Sequence, residues 1–281
     1  MDHVYLNGRF IRKEEATVSI FDRGLLFGDA VYEVIPYFNG NALEALPHLE
    51  RLNRSLESIQ MKPVLNNEEW LSIFSRLTEL NQQQNESFSI YLQVTRGSTG
   101  SRSHAIPPQV DATVIVYLLP PSFIDSQRTH QIITYPDHRH AISHIKSTNL
   151  LANVLAHDQA RAAGAIEAVL YRGETIIECT CSNIFIVDDD CIRTPELKPC
   201  MLAGITRSIV LDLAASSPYS VEESAVTLDE LYNANEAWIT SSTKKMIPIG
   251  QVDNKIINRN QIGPVTQFLQ NALEKRINAI G

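Results

Sequence analysis

In "VYLNGRFIRKEEATVSI", Val4 and Leu6 alternate with polar neighbours, Asn7-Gly8 interrupts, and Phe10 and Ile11 resume the run. Alternation on both sides of an Asn-Gly pair predicts a β-hairpin. "AVYEVIPYFNGNALEAL" repeats the pattern around Asn39-Gly40 and predicts a second one. The period then changes. In "PHLERLNRSLESI", Leu49, Leu52, Leu56 and Ile59 share one helical face, and Pro47 suits a first turn. A further helix is predicted over 67–83, after Asn66-Asn67. "SFSIYLQVTRG" and "DATVIVYLLP" read as strands, with the loop "STGSRSHAIPPQ" between them. A sheet of antiparallel strands with helices is an α+β arrangement.

Two prolines in "PPSF" at 120–123 break helix and ladder alike. They set the expected boundary between a first domain, 1–120, and a second, 121–281. The second opens with a strand, "RTHQIITY", followed by a helix that places Leu151, Val154, Leu155 and Ala162 near one face and stops at Gly164. "EAVLYRGETIIECTCSNIFIVDD" predicts a hairpin turning near Arg172-Gly173. "GITRSIVLDLAASS" predicts a helix starting after Gly204, and "EAWITSSTKKMIPI" a strand running into a loop. "GPVTQFLQNALEKRINAI" closes the chain as a helix with Val265, Leu269, Ala272 and Leu273 in a broad apolar stripe. No internal repeat or low-complexity tract is present.

The 281 residues suffice for two modest domains with their own cores. A formal charge of −8, with no basic cluster, argues against nucleic acid or an anionic lipid surface as partner. No apolar run approaches a membrane span, and the N-terminus lacks the apolar stretch of a signal peptide. The four cysteines, Cys179, Cys181, Cys191 and Cys200, form no paired CxxC set, so no metal site is expected. A reduced, cytoplasmic protein is the expectation.

Four features carry candidate chemistry. Lys146 lies in "AISHIKSTNLLANVLA", at the join of an apolar stretch and a helix, and not on the helix's polar face. Glu178 lies in the apolar strand "TIIECTCSNIF", where a carboxylate is costly without a cationic partner. Gly204 precedes a helix that begins Ile205-Thr206-Arg207, and a helix N-terminus suits a phosphate. Arg51 and Arg54 share the polar side of "HLERLNRS"; Arg51 is the candidate for a bidentate phosphate grip, Arg54 a solvated charge. "TSSTKK", 240–245, adds hydroxyls after a strand. An imine-forming lysine, a carboxylate for a pyridinium nitrogen, and an arginine with a helix N-terminus for phosphate together meet the needs of pyridoxal 5'-phosphate.

In that order, these residues make the chain resemble the fold-type IV pyridoxal-phosphate aminotransferases. That family includes D-amino acid transaminases, branched-chain aminotransferases and aminodeoxychorismate lyases. The resemblance runs from "DRGLLFGDAVYEV" through "HLERLNRS", "QVTRG", "IKSTNLLANVLA", "ECTCSNIF" and "GITR" to "TSSTKKMIPI". It implies a small N-terminal α/β domain and a larger, β-barrel-like C-terminal domain with helices. It also implies that Lys146 bonds the cofactor and moves the proton at the substrate Cα, and that Glu178 keeps the pyridine nitrogen protonated. Arg51, the amides of Ile205 and Thr206, the Thr206 hydroxyl, and Ser242 or Thr243 are implied to hold the phosphate. Leu202 is implied to lie against the ring, with Ser182 and Asn183 as support. Cys179 and Cys181 depart from the small residues common after that glutamate.

Within the family, "TRGSTGSRSHAIP" resembles the R-x-H loop of the D-amino acid transaminases, here Arg102 and His104, with one extra residue before the arginine. In that group the loop crosses from the partner subunit. With Tyr32, and with Val34 lining the same pocket, it takes the substrate α-carboxylate. The resemblance therefore implies a homodimer with shared active sites that transfers amino groups between a D-amino acid and a 2-oxo acid such as pyruvate or 2-oxoglutarate. Aminodeoxychorismate lyase and branched-chain L-aminotransferase are the alternatives within the family. A binder that keeps the fold without catalysis is the alternative outside it.

Overall fold

The structure is a computed structural model of the full chain, and it describes residues 1–121 and 124–280. The chain divides into two compact units. One comprises Met1–Pro121 with Ile145–Asn149, the other Ser122–His144 with Leu150–Ala279. Of the expected boundary at 120–123, residues 122 and 123 lie outside the described residues. The division differs from 1–120 and 121–281 by grouping the Lys146 segment with the first unit. The reason is a set of backbone bonds. Tyr32 N donates to Lys146 O at 3.0 Å and Thr148 N to Ala30 O at 3.1 Å, so the segment pairs with the strand carrying Tyr32.

The first unit begins with β1 (His3–Leu6) and β2 (Arg9–Arg12), joined through Asn7 and Gly8. Both turn residues have positive φ, 48° and 84°, which is why Asn-Gly occupies them. A one-turn helix α1 (Arg23–Phe27) follows, then β3 (Ala30–Phe38) and β4 (Asn41–Ala42) around the expected Asn39-Gly40 turn. Helices α2 (Ala45–Ser58) and α3 (Asn67–Leu80) precede the long strands β5 (Phe88–Thr95) and β6 (Thr113–Leu119). The sheet is antiparallel, in the order β2-β1-β6-β5-β3-β4. Leu49, Leu52 and Leu56 of α2 and Trp70, Phe74 and Leu77 of α3 bury against Ile35, Ile90, Leu92 and Val116 of the sheet. Alternation leaves Tyr32 and Val34 on the other, half-buried face of β3.

The second unit contains β7 (His130–Pro136), α4 (Leu151–Ala162), β8 (Glu167–Arg172), β9 (Thr175–Cys179), β10 (Asn183–Asp188) and β11 (Cys191–Thr194). It continues with α5 (Ile205–Ala215), β12 (Ser220–Glu223), α6 (Leu228–Asn233), β13 (Glu236–Ser241), β14 (Lys245–Val252), β15 (Lys255–Ile256) and α7 (Pro264–Asn278). Its mixed sheet runs β12-β11-β10-β13-β14-β7-β8-β9, with β15 on β14. The strand at one end, β9, leads through residues 180–182 directly into β10 in the other half, which curls the sheet toward the expected barrel-like form. Val265, Leu269 and Leu273 of α7 are buried as their stripe predicts. In α4, Leu151, Val154, Leu155 and Ala162 share one face as expected, and that face is the outward one, the first three 73%, 59% and 55% exposed, while the buried residues are Ala156 and Ala160. Those alanines pack with Ala165, Ala168 and Leu170, so the helix uses its small-residue side for close approach to β8.

Candidate active site

Lys146 is held in the first unit by its own backbone. Its carbonyl accepts from Tyr32, its amide donates to Ser55 Oγ at 3.3 Å, and the next residue, Ser147, bridges to Val31. Asn149 anchors the end of the segment, donating from Nδ2 to Gly28 O at 3.1 Å. Gly28 has φ 64°, and a Cβ there would collide with the Asn149 amide, so a glycine is required at this step of "DRGLLFGD". The half-buried Lys146 side chain carries Nζ to 4.2 Å from the centre of the Tyr32 ring. That ring stacks on Tyr91, and Tyr91 on Tyr117, so the platform is stiff.

Arg51 is not on a solvated helix side; it is buried, as Arg54 is exposed. Its Nε and Nη2 donate to Glu33 at 2.7 and 2.9 Å, and His48 Nδ1 stands 2.8 Å from the same carboxylate. Burial alone would raise the Glu33 carboxyl, but the Arg51 charge overrides it and holds it well below the usual carboxylate range. Burial lowers His48, with Lys146 and Arg51 adding to the effect against Glu33. Glu33 thus fixes one orientation of the Arg51 guanidinium.

In the second unit, Glu178 is buried at the end of β9. Arg139 pairs with its Oε1. Leu202 N donates to Oε2 at 3.0 Å, and Asn183 Nδ2 lies 3.4 Å from it. Asn183 also donates to Leu202 O at 2.9 Å, and its Oδ1 occupies the place a Cβ on Gly204 would need. Leu202, Gly204 and the start of α5 are therefore fixed by the same side chain that touches Glu178. Burial still raises Glu178 above the usual carboxylate range, with Arg139 and the Leu202 amide pulling the other way. Ser182 Oγ donates to Glu167 at 2.6 Å. Thr206 is buried in the first turn of α5 behind Ile205. Ser242 and Thr243 occupy the turn between β13 and β14.

Arg102 and His104 lie exposed in the loop before β6, and both rest on Phe27. The Arg102 guanidinium carbon is 5.0 Å from that ring's centre, as is the His104 ring. The structure brings these two side chains together on Phe27.

Sequence reasoning passed over several charged residues here. Arg139, the partner of Glu178, stands in the loop "DHRH", where a cation reads as solvated. It is locked by Asp137, whose Oδ1 accepts from its Nε at 2.9 Å. Glu167, completely buried, accepts from Ser182, from Cys181 N at 2.9 Å, from Thr180 Oγ1 at 3.2 Å and from Lys244. It ties the turn after Glu178 to the turn carrying Ser242 and Thr243. A carboxylate in the apolar run "EAVLY" is the same signal that singled out Glu178. Arg23 is another.

The residues fit the cofactor that the resemblance implies. Helix α5 begins at Gly204 with no side-chain cap, and α2, α4 and α7 also lack one. The first amides of α5 suit a phosphate. Thr240 Oγ1, opposite Asn183 in the β10–β13 ladder, is buried with no hydrogen-bond partner. Glu178 has three donors against a carboxylate's roughly four acceptor sites, and its raised pKa marks a negative charge that a further cation would stabilise.

Comparison with known proteins identifies the family. The family model for amino-transferase class IV matches residues 30–252. D-alanine aminotransferase of Staphylococcus aureus (strain N315) is 35% identical over 99% of this chain and 98% of its own. The Bacillus licheniformis D-alanine aminotransferase is 37% identical over 98% and 96%. Among solved structures, a branched-chain aminotransferase from Thermoproteus uzoniensis with norvaline superposes with a TM-score of 0.89 at 26% identity, covering 98% of this chain and 94% of that one. A Legionella pneumophila protein described as a 4-amino-4-deoxychorismate lyase shares the fold, with a TM-score of 0.85 at 23% identity over 94% and 96%.

Proposed function

The chain belongs to the amino-transferase class IV family, and from that premise we propose that it is a pyridoxal-phosphate enzyme exchanging amino groups between D-amino acids and 2-oxo acids by a ping-pong mechanism. The observation that carries the D-substrate reading is the near-full-length identity of 34–37% to proteins named D-alanine aminotransferase. The pairing of Arg102 with His104 on one ring supports it.

Bound pyridoxal phosphate supplies the electron sink and carries the amino group between the two half-reactions. The chain does the rest. Lys146 would hold the cofactor through Nζ, and its amine is the group that would move the proton at the substrate Cα. Tyr32 and Tyr91 limit where that amine can swing. Glu178, set by Arg139, Asn183 and the Leu202 amide, holds the proton on the ring nitrogen. The amides of Ile205 and Thr206, the Thr206 hydroxyl and Ser242 or Thr243 hold the phosphate, with Arg51 aimed by Glu33. Leu202 lies against the ring. Arg102, His104 and Tyr32 take the α-carboxylate, and Val34 lines the pocket for the side chain. The working form is a cytoplasmic homodimer in which each active site receives the Arg102–His104 loop of the other subunit. The outward apolar face of α4 supports pairing, since a large exposed apolar patch marks an association surface.

The test is a half-reaction. Holoenzyme mixed with D-alanine should convert to the pyridoxamine form, losing the band near ~410–420 nm expected of the imine-bound cofactor, while L-leucine leaves it in place. Conversion by L-leucine alone, or release of pyruvate from aminodeoxychorismate with no amino acceptor, would overturn the assignment. Lys146→Ala should lower turnover by at least about 10²- to 10⁴-fold with the fold retained by circular dichroism.

A further inference from the structure

Arg23 has no place in the chemistry above, yet it is one of the best-anchored cations of the first unit. Only 5% of it is exposed. Its Nε donates to Asp29 Oδ2 at 2.8 Å. Nη1 donates to the carbonyls of Ser103 at 2.6 Å and Ala105 at 3.2 Å, and Nη2 reaches His104 O at 3.5 Å. One guanidinium therefore grips three consecutive carbonyls of the loop carrying Arg102 and His104. The same guanidinium lies over the Phe27 ring, 4.9 Å from its centre, one helical turn along α1. Phe27 is also the ring on which Arg102 and His104 rest.

The arrangement is built for the loop and not for charge balance. Asp29 does not depend on Arg23, because Arg96 holds it bidentately, through Nε at 2.7 Å and Nη2 at 3.0 Å. Arg96 is itself anchored on Ile59 O. Asp29 and Arg96 thus form a fixed base from which Arg23 projects its fork to the loop. An exposed loop with an extra residue would otherwise sample many conformations, and ordering it at the moment of binding would cost affinity.

We propose that Arg23, with Phe27, is a positioning residue that presets the Arg102–His104 loop and so sets the strength and selectivity of α-carboxylate binding. This rests on the reading that Arg102 and His104 bind that carboxylate. Arg23 touches backbone carbonyls and the ring, and it acts on substrate only through the loop. A lysine would keep the charge beside Asp29 and lose the fork, since an ammonium cannot bridge three carbonyls in a fixed plane.

The experiment is a double-mutant cycle on the holoenzyme, with D-alanine as substrate and Arg23→Lys and Arg102→Ala as the variants. Arg23→Lys is expected to lower kcat/KM about ten- to hundredfold, mainly through KM, with the cofactor absorbance and cofactor affinity unchanged. In an Arg102→Ala background the same substitution should add less than about twofold, because the loop has lost what it positions. If Arg102→Ala alone is harmless, the carboxylate reading fails and the inference falls with it. If Arg102→Ala is harmful but Arg23→Lys is silent, multiplies fully, or lowers the melting temperature with KM unchanged, the clamp is overturned and the carboxylate reading stands. Should Arg23→Lys not fold, Phe27→Leu takes its place in the cycle, with the same rise in KM and the same non-additivity expected.

Discussion

Two buried carboxylates, Glu33 and Glu178, are driven in opposite directions by their surroundings. Both are desolvated. Glu33 receives a bidentate guanidinium and the His48 ring, and its anion is favoured on folding. Its folded pKa is depressed, so its contribution to stability is present above the usual carboxylate range and is lost as pH falls through that range toward the folded value. Glu178 is the reverse case. Its folded pKa is raised, so the anion costs stability, and that cost appears as pH rises through the raised value. A neutral isostere removes the cost while Arg139 keeps Asp137. Glu178→Gln should therefore leave the cofactor-free protein at pH 7 as stable as wild type or more so, and flatten its stability between acid and neutral pH. The same change should reduce kcat on the order of 10²- to 10³-fold, because an amide cannot stabilise a positive ring nitrogen. Denaturant melts of the apoprotein across pH, set beside holoenzyme kinetics, check both halves. A destabilised apoprotein with full activity would make Glu178 a structural residue.

At the scale of elements, local signals were legible wherever they were complete within a few residues. Asn7-Gly8 and Asn39-Gly40 specify their hairpins, and the leucine spacing of α2 specifies its buried face. What was not legible depends on partners distant in sequence. Arg51 could be singled out on its helix, but not the Glu33 of β3 that holds it, and Arg139 reads as a surface charge until β9 brings Glu178 to it. The α4 pattern groups its large apolar residues on one face but does not say which way that face points; β8 takes the alanine side. Gly204 shows both levels at once. As the residue before a helix it was readable as a phosphate-site glycine. That it must lack a side chain follows only from Asn183, which fills the space beside it. With φ −69° the backbone there tolerates any residue, so Gly204→Ala acts through packing, chiefly by displacing Asn183 and secondarily by crowding Arg207. It should cost about 1–3 kcal/mol as an overpacking change and disturb the hold on Glu178 and Leu202 together. Thermal melts should show the loss, and a weakened cofactor affinity should accompany it. An unchanged melting temperature would mean that Asn183 moves aside freely and is not the brace described here.

For the molecule as a whole, the deciding question is whether one chain makes a complete catalyst. Among the described residues no helix is long and apolar enough to cross a membrane. Leu151, Val154 and Leu155 lie within two turns of one helix, and all three are more than half exposed. In the proposed homodimer, Lys146 of each subunit works with the Arg102–His104 loop of the other. That arrangement makes a prediction a self-sufficient chain cannot meet. An Arg102→Ala enzyme should lose about ten- to hundredfold in kcat/KM for D-alanine, the effect of removing a charge-assisted hydrogen bond worth about 1.5–3 kcal/mol. A Lys146→Ala enzyme should be inactive. In a heterodimer of the two, one site combines an intact Lys146 with an intact loop and the other has neither. Random exchange of equal amounts should restore about a quarter of the wild-type sites, because half the dimers are mixed and each holds one good site. If each loop served its own chain's lysine, every site in the mixture would lack one group or the other, and activity would stay at the average of the two parents. Heterodimers carrying different affinity tags can be isolated and assayed directly. Isolated heterodimers no more active than that average would reject the shared site.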